Sequence, residues 1–586
     1  MPETFNDSGM PGDTGQPAGS EQPGRSADGE TFDDVIIGGG LGGLTCAAYL
    51  AARGHRVLVA EKHDITGGNS MVFRRRGHEF DVGVHYIGEC QPGGLINRIL
   101  AGLSLDDRIR FRPMDEIFDV LVFPDRTLEI PAGWDAYKDA IANAFPQEAD
   151  AVRAVMSTLE RVANAAMRRP DSDLADLFES GLLPLTTLFD RHDLSTSARG
   201  ALSHWTGLYG SGPDESATVI HAILADHYMR GAFYPEGGGQ MFSARLVQVI
   251  EACGGEVRVG AQAERILSDD EGRAIGVRFD DGATVHATNV ISNADYRRTV
   301  RELGADLNWS DQTRSHAEEA HMGYPLFCVY VVIEGDFERH VNNSNFFVFS
   351  HDNVAETFAR LANGQIEDRP FAYISVASRK DPTNAQLGPP GFTNFQIMTL
   401  APTDYTMWGV AEGPTGGEKY RRKDDYRSAK AKLQDDLIDQ AEVALGPFRD
   451  RIVYAESATP LTQERYTRST AGSSYGLAHT PNAVGPLRPG YGTDIPGLFL
   501  VGASAPGGHG IAGVMAGGLG AASEVLGENL SRSVMAGERV LASDVVPPDD
   551  DDFDPYEMAR GLAMRTRRAE GRAQRAARKA KQGQAT

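Results

Sequence analysis

The sequence predicts an α/β fold, of the two-domain α+β kind, in which a dinucleotide-binding sheet is assembled from segments far apart in the chain. Three observations predict it. A strand, a glycine loop, a helix and a second strand follow one another in residues 33–61. Residues 256–294 contain alternating strands separated by turn residues, and residues 497–523 contain a further strand, glycine loop and helix. The segments between them predict helices and a second sheet.

The first segment has the spacing of a phosphate-binding loop. Gly38, Gly40 and Gly43 form Gly-x-Gly-x-x-Gly directly after the apolar run DVII, and a helix follows them. In such a loop the first glycine permits a tight turn, the second lets the backbone approach a pyrophosphate, and the third lets the helix pack against the strand. The helix N-terminus offers free N–H groups to the phosphates. Glu61 ends the next strand, close to where an acid accepts hydrogen bonds from the adenosine ribose.

The residues after Glu61 distinguish between NAD and FAD. Lys62 is followed by the double glycine Gly67–Gly68 and by Asn69. A double glycine allows the chain to pass close to a flat, extended ligand. An NAD-binding dehydrogenase would continue here with another strand–helix unit, and this chain does not. The sequence therefore favours FAD, with Lys62, Gly67, Gly68 and Asn69 among its contacts.

A second glycine-rich segment lies near the C-terminus. Gly502 ends an apolar strand, and the helix that follows carries Gly513, Gly517 and Gly520 on one face, with Val514 beside the first of them. So smooth a face allows a helix to approach the flat isoalloxazine ring, and the helix N-terminus would stabilise the anionic reduced flavin. Tight packing against another helix is the alternative interpretation.

The segment between these two is expected to complete the cofactor site, with Ala263 as a contact. The predicted boundaries are a disordered leader at 1–32, three FAD-binding parts at 33–130, 234–300 and 456–530, a helical insertion in the substrate region at 131–233, a substrate-binding sheet domain at 301–455, and a charged disordered tail at 531–586. Two apolar stretches, 95–105 and 181–189, are expected to pack in the core, with contact to lipid as the alternative.

Composition limits the classes of partner. The chain of 586 residues has a net charge of −24, which argues against nucleic acid as a partner. Its four cysteines are far apart, as in a reduced intracellular protein, and no metal site is predicted. No run of about 18 apolar residues occurs, so a membrane-spanning helix is not expected. We expect a cytoplasmic protein that is membrane-associated at most by peripheral contact.

The order of the motifs resembles that of the FAD-dependent phytoene desaturase superfamily, of amine-oxidase-like fold, which includes carotenoid desaturases, carotenoid cis–trans isomerases and retinol saturases. The matching motifs are VIIGGGLGGL, FDVGVHYIG, YPEGGGQMFSARL, TPLTQERYTRSTAGSSYGL and IPGLFLVGASAPGGHGIAGVMAGG, within roughly residues 33–528. FDVGVHYIG is most similar to the retinol saturase and carotenoid isomerase branch. Two positions depart from the family: Asn69 replaces the arginine of its Gly-Gly-Arg motif, and His509 stands among small residues.

The resemblance implies a fold, a cofactor and a reaction class. The fold would be a Rossmann-like FAD-binding domain assembled from three sequence segments, with a β-sheet substrate domain and a helical insertion. The reaction would change carbon–carbon bonds of an apolar isoprenoid or polyene, of carotenoid or retinoid type, by hydride transfer with flavin N5. Desaturation, saturation and isomerisation all stay open, and the electron acceptor is not identified.

The candidate catalytic residues are His85, Tyr86 and His509. His85 and Tyr86 lie in the motif FDVGVHYIG, which follows the Gly67–Gly68 loop and is expected to face the substrate. Desaturation delivers a proton to a base, saturation requires the reverse, and a histidine can serve either reaction. A buried histidine whose hydrogen bonds are satisfied is the more common use of such a residue.

Two further functions are compatible with the sequence. An FAD amine oxidase shares the N-terminal motifs, and it would place an aromatic cage beside the flavin. A non-catalytic lipid or prenyl carrier of the same fold is the other alternative. Such carriers tend to lose the cofactor glycines, and both glycine-rich segments are intact here.

Overall fold

The computed structural model of the protein describes residues 29–339 and 341–583. The predicted disordered leader lies outside the described residues as far as residue 28. Its last three residues, Glu30–Phe32, already belong to the first strand.

The described ranges contain β-strands and α-helices joined by loops and short 3-10 or π-helical turns. The strands are β1 (Glu30–Ile37), β2 (Val57–Glu61), β3 (Val72–Arg75), β4 (His78–Asp81), β5 (Phe111–Pro113), β6 (Ile117–Val122), β7 (Thr127–Pro131), β8 (Phe233–Pro235), β9 (Glu256–Val259), β10 (Ala263–Ser268), β11 (Ala274–Phe279), β12 (Thr284–Ser292), β13 (Leu326–Glu334), β14 (Asn345–Val348), β15 (Ala372–Ser375), β16 (Phe392–Leu400), β17 (Ile452–Ala458) and β18 (Leu498–Leu500). The helices are α1 (Leu41–Ala52), α2 (Leu95–Gly102), α3 (Trp134–Ala144), α4 (Ala149–Ala166), α5 (Leu174–Asp176), α6 (Leu185–Asp190), α7 (Thr196–Leu202), α8 (Thr218–Met229), α9 (Gln240–Ala252), α10 (Tyr296–Arg298), α11 (Asp311–Glu319), α12 (Val354–Ala362), α13 (Ala377–Lys380), α14 (Asp424–Leu445), α15 (Pro460–Thr467), α16 (Gly510–Leu526), α17 (Leu530–Met535), α18 (Pro555–Met558) and α19 (Leu562–Gly583).

The first large sheet contains strands from three distant parts of the chain. Its order is β10-β11-β12-β1-β2-β9, with β18 beside β12. β1, β2, β9, β12 and β18 pair in parallel, and β10 and β11 add an antiparallel edge. Both faces of β1 are buried: Ile36 packs in one apolar cluster with α1 and α16, and Val35 and Ile37 pack in another. Because parallel strands end at the same edge, the loops after β1, β12 and β18 meet there.

The second large sheet has the order β17-β13-β16-β15-β14-β6-β7 and is mostly antiparallel. The sequence-based prediction places residues 117–130 in the first FAD-binding part, which ends at residue 130. This boundary is wrong, because β6 and β7 are the last two strands of the second sheet. In the structure β6 pairs in parallel with β14, with Asp119 opposite Asn345. The long-range pairing that brings them together leaves no local signal in the sequence.

Helices α3 to α8 cover the second sheet. Their apolar residues and those of β6, β13, β14, β15 and β16 form one large core, which includes Phe118, Phe347 and, from the turn between α7 and α8, Trp205. A π-helical turn at Leu177–Gly181 directly follows α5. This layer and the second sheet supply most of the aromatic residues discussed below.

The predicted disordered tail is wrong for residues 531–561. Thr66 donates two hydrogen bonds to the carbonyl of Ala559, from its N–H at 3.0 Å and from its hydroxyl at 2.8 Å. The acidic residues within 549–554 are also held, because Asp549 pairs with Arg245 and Asp554 pairs with Arg74. The sequence predicts disorder here because the arginine partners of these aspartates lie hundreds of residues away in the chain.

The two apolar stretches both pack inside the protein. In 95–105, Ile96, Ile99 and Leu100 are fully buried, and in 181–189 Leu185 and Phe189 are fully buried. Within residues 29–339 and 341–583, no helix is both long and apolar enough to cross a membrane.

Candidate active site

One large cavity of about 1470 Å³ reaches both sheets. Its wall takes in the carboxyl edge of the first sheet, the start of α16, helix α8 and residues of β13, β15 and β16. The residues predicted to contact FAD line this cavity, with the exception of Gly43 and of Gly517 and Gly520 on the glycine face of α16. Ala263, the first residue of β10, is among them, and so are the three candidate catalytic residues.

The glycine loop after β1 is held in a tight turn. Gly38 has a φ of +99°, a conformation that favours glycine, and its N–H donates to the carbonyl of Ala60 at 2.8 Å. Helix α1 starts directly after Gly40, which caps it without a side chain. Gly40 and Leu41 line the cavity, so the N–H groups of the first turn of α1 lie at its wall. Gly43 acts differently, because it lies under the loop against the Gly38 carbonyl.

Glu61 lies at the end of β2 beside this loop. One carboxylate oxygen accepts the Gly39 N–H at 2.8 Å, and the other accepts the His63 N–H at 2.7 Å. Burial raises the pKa of Glu61. Each oxygen retains a lone pair, so the carboxylate can accept further hydrogen bonds from a ligand in the cavity.

The double glycine closes over the first loop. The Gly67 N–H donates to the Gly39 carbonyl at 2.8 Å, which brings the two glycine loops together. Asn69 is oriented by α15 and by the segment after it: Gln463 of α15 donates to its Oδ1, and its Nδ2 donates to the Ser474 carbonyl at 3.2 Å. Lys62 donates from Nζ to the carbonyl of Arg465 at 2.9 Å.

Asn293 connects the three parts of the first sheet, and sequence reasoning did not identify it as a site residue. Its backbone N–H donates to Ile37, its Nδ2 donates to the Gly38 carbonyl at 3.1 Å, and it lines the cavity. Gly502, with a φ of +100°, lies so close that a Cβ there would be 2.7 Å from Asn293 Oδ1. The sequence feature that could have identified Asn293 is its position at the end of a predicted strand.

The glycine face of α16 serves mainly for packing. A Cβ at Gly520 would meet the ring of Tyr491 at 2.6 Å, and Gly517 lies against Gly507 and Tyr491. Gly513 and Val514 do line the cavity. The interpretation of the whole face as a flavin contact is therefore corrected: its first turn reaches the cavity, and the rest packs against protein.

His85 lies in the loop after β4 with its ring towards the cavity, edge-on to Tyr373 at 5.5 Å between ring centres. Its carbonyl accepts a hydrogen bond of 2.6 Å from Nζ of Lys380, a buried lysine that also donates to Ser375 and Asn345. Burial and the Lys380 charge lower the pKa of His85 to about 3. The imidazole is therefore neutral at pH 7, and it makes no hydrogen bond to another described residue.

The hydroxyl of Tyr86 is already engaged in a hydrogen bond within the protein. The hydroxyl donates to Asp119 at 3.0 Å, and the ring stacks on Tyr228 with the centres 4.1 Å apart. Asp119 also accepts from Trp205 Nε1 and from Asn345 Nδ2, each at 2.9 Å. Burial raises the pKa of Asp119 to about 6. The signal that sequence reasoning missed was this one carboxylate inside the apolar run IFDVLVF.

His509 caps the N-terminus of α16 by position and pairs with a second histidine. His509 Nδ1 lies 2.6 Å from His479 Nε2, and both residues line the cavity. Burial lowers the pKa of His509 to about 3, and it lowers that of His479 well below its usual value. Both imidazoles are neutral at pH 7. His479 is not among the predicted site residues, although it is the second residue after the motif TPLTQERYTRSTAGSSYGL.

The remaining wall of the cavity is mainly aliphatic and aromatic, although Glu89, Asp226 and His227 also line it. Helix α8 contributes Val219, Ile220, Ile223, Leu224 and Tyr228, and the second sheet contributes Leu326, Tyr330, Tyr373 and Met398. Three further lining residues are largely exposed: Leu174 (51%), Phe178 (68%) and Leu487 (52%). We call these three the collar, because they belong both to the cavity wall and to the surface.

Sequence comparison matches this chain to one family over most of its length. The family model described as flavin containing amine oxidoreductase matches residues 41–526. The all-trans-retinol 13,14-reductase of Danio rerio is 28% identical over 482 residues, which cover 77% of this chain and 78% of that protein.

Two further curated relatives act on carotenoids according to their names. Prolycopene isomerase 2, chloroplastic, from an Oncidium hybrid cultivar is 26% identical over 524 residues, covering 85% of this chain and 84% of its own. The carotenoid 3,4-desaturase of Haloarcula japonica is 26% identical over 507 residues, covering 82% and 95%. The crystal structure of an oxidoreductase from Methanosarcina mazei has a TM-score of 0.58 at 18% identity and covers 84% of this chain and 100% of that one, which shows a shared fold.

Proposed function

The chain belongs to the family of flavin-containing amine oxidoreductases and is an FAD-dependent oxidoreductase, and on this premise we propose that it acts on carbon–carbon bonds of an apolar polyene or isoprenoid. One observation carries the choice of substrate. Beyond the glycine loops, the wall of the cavity is formed mainly by aliphatic and aromatic side chains of α8 and the second sheet, with Asp226 and His227 of α8 among them. Such a wall favours a long apolar molecule through burial of its surface.

The residues at the carboxyl edge of the first sheet fit FAD. The first turn of α1 presents N–H groups at the wall, which suits a pyrophosphate, and Glu61 retains lone pairs for ribose hydroxyls. We propose that the other residues predicted from the sequence also contact FAD, and we add Asn293 to them. These are Gly38, Gly40, Lys62, Gly67, Gly68, Asn69, Ala263, Gly502, Gly513 and Val514, with Gly43 supporting the loop from below. In this assignment the FAD-binding domain is Rossmann-like and is built from three sequence segments. When bound, FAD supplies the capacity to accept or donate a hydride.

The protein residues act mainly by placement. His85 is neutral at pH 7, and its low pKa makes it a weak base and disfavours its use as an imidazolium acid. We propose that it contacts the substrate as a neutral hydrogen-bonding ring next to Tyr373. The Tyr86 hydroxyl is committed to Asp119, so Tyr86 shapes the wall and does not move a proton. The aromatic wall excludes water from the reacting bond.

An absorbance spectrum of the purified protein, followed by anaerobic reduction with dithionite, tests the proposal. We expect flavin bands that bleach and then return on addition of all-trans-retinol or a carotene when the enzyme saturates its substrate. For a desaturase, the same polyenes should bleach the oxidised protein, and the product should have lost two hydrogen atoms by mass spectrometry. An isomerase should change retention time without a change in mass. A colourless protein that FAD does not reconstitute would refute the enzyme and favour a lipid carrier.

An amine is the second candidate substrate, because an amine oxidase would use aromatic rings beside the flavin and three tyrosines line the cavity: Tyr228, Tyr373 and Tyr475. A cation can lie over such rings. Bleaching of the oxidised protein by aliphatic amines, with no response to polyenes, would favour this function over the first one.

We further propose that the collar contacts a lipid surface, since an apolar substrate must leave a membrane or a micelle to enter the cavity. The double variant Phe178→Ser/Leu487→Ser should bind neutral phosphatidylcholine vesicles at least tenfold more weakly in a flotation assay, because each side chain adds apolar area to the contact. Phe392→Ser is the matched control, since Phe392 is 37% exposed and does not line the cavity. Equal binding of both variants and the unchanged protein would contradict the proposal.

A further inference from the structure

Arg488 is a buried cation that pairs with no carboxylate of residues 29–339 or 341–583. It is 4% exposed, and its guanidinium donates to three carbonyls: Ala483 at 2.8 Å, Leu477 at 3.0 Å and Ala503 at 2.7 Å. Its Nε has no hydrogen-bond partner among the described residues. Burial lowers the pKa of Arg488 to about 10, so the group still carries its charge at pH 7.

The contrast with the other deeply buried arginines is informative. Arg245 is 4% exposed and pairs with Asp549, and Arg560 is 3% exposed and pairs with Asp64. A buried charge without a counter-charge costs several kcal/mol of folding free energy. Such a cost is retained where a positive potential has a use, and the neighbours of Arg488 indicate what that use is.

A directed chain of hydrogen bonds connects Arg488 to the cavity. A guanidinium can only donate, so its Nη1, 3.4 Å away, donates to Nδ1 of His479. The Nε2–H of His479 then donates to Nδ1 of His509 at 2.6 Å, which leaves the N–H of neutral His509 on its Nε2. The Arg488 charge thereby polarises two imidazoles that line the cavity, although Arg488 itself does not line it.

The end of the cavity reached by this chain is also the N-terminus of α16. His509 occupies the capping position without a side-chain cap, and residues 507–514 line the cavity around it. The helix adds its own partial positive charge at this point. The chain, the helix and the uncompensated guanidinium therefore act in the same direction.

We propose that Arg488, acting through His479 and His509, is a positioning residue that makes this end of the cavity favour the reduced, anionic form of FAD over the oxidised form. The inference rests on FAD as the cofactor of the proposed function. Reduction by a hydride adds two electrons and one proton, so the cofactor gains one negative charge that no proton neutralises. The protein supplies the compensating positive charge in advance, without rearrangement.

Two measurements test the proposal: the midpoint potential of the FAD-loaded protein, determined against reference dyes, and the dissociation constant of FAD. Arg488→Met should lower the equilibrium constant of two-electron reduction at least tenfold, which is a potential about 30 mV more negative. Arg488→Lys, which restores a charge, should recover most of the difference. His479→Gln should give an intermediate value. Arg245→Met, which removes a carboxylate-paired arginine, is the control and should leave the potential unchanged.

Three outcomes would overturn the inference. The first is an equilibrium constant of two-electron reduction in Arg488→Met that lies within threefold of the value for the unchanged protein. Equal weakening of FAD binding in both redox states would show that Arg488 serves a phosphate or the fold instead. If Arg488→Met does not fold, an unchanged midpoint potential in His479→Gln would overturn the inference in its place. An unchanged protein that takes up no FAD would refute the proposed function itself, before any variant is compared.

Discussion

Replacement of Asp119 by alanine is expected to lower the free energy of unfolding by about 3–5 kcal/mol. Asp119 is fully buried and accepts hydrogen bonds from Tyr86, Trp205 and Asn345. Truncation leaves these three donors without an acceptor, at about 1–3 kcal/mol for each buried group that finds no partner. Urea unfolding followed by circular dichroism measures the loss.

The isosteric variant Asp119→Asn is expected to destabilise as well, by more than about 1 kcal/mol. Its amide N–H₂ must face either Tyr86 and Trp205 or the side-chain amide of Asn345, and all three are donors towards Asp119. Asn345 cannot turn over, because its Oδ1 accepts from Lys380. The direction of the whole network is therefore set by the lysine.

Asp125→Ala is the matched control for Asp119, since Asp125 is an exposed aspartate whose ion pair with Arg126 lies at the surface. We expect a change below about 0.5 kcal/mol. A loss of less than about 1 kcal/mol in Asp119→Ala would contradict the assignment of Asp119 as the acceptor that organises the wall.

A methyl group at residue 43 is expected to weaken FAD binding at least tenfold and to lower the free energy of unfolding by about 1–3 kcal/mol. A Cβ at Gly43 would lie 2.5 Å from the Gly38 carbonyl oxygen and 3.0 Å from side-chain carbons of Ile36 and Asn293. The carbonyl belongs to the loop itself, so α1 must move away from the strand. Its N-terminus would then lose its place at the cavity wall.

Gly571→Ala is the control for Gly43→Ala, because nothing lies within 4 Å of a Cβ at residue 571 and the position is inside α19. Alanine should stabilise that helix slightly. FAD titration of the apo-protein, monitored by flavin fluorescence, and urea unfolding provide both measurements. An FAD dissociation constant of Gly43→Ala within threefold of the unchanged protein would show that α1 and the loop are not rigidly coupled.

The cofactor region was the most predictable part of this protein. Gly38, Gly40 and Gly43 act over six residues, and Glu61 lies at the end of the next strand, so their roles follow from local geometry. Family membership and FAD follow from the same motifs. The glycine face of α16 shows the limit of local reasoning, because a smooth helix face suits a flat ligand and a neighbouring ring equally well. In the structure Gly520 meets Tyr491.

The sequence by itself determined the nucleotide loop, the family and the general order of strands and helices, because each of these depends on residues that are close together in the chain. The tertiary structure alone decided which distant polar groups meet. Three contacts illustrate this: Lys380 with His85, Asp119 with Tyr86, and Arg488 with His479. In each, the charged residue is distant in sequence from its partner or lies outside any motif. Buried charges are placed by the packing of the whole chain, since each must find partners wherever burial removes it from water.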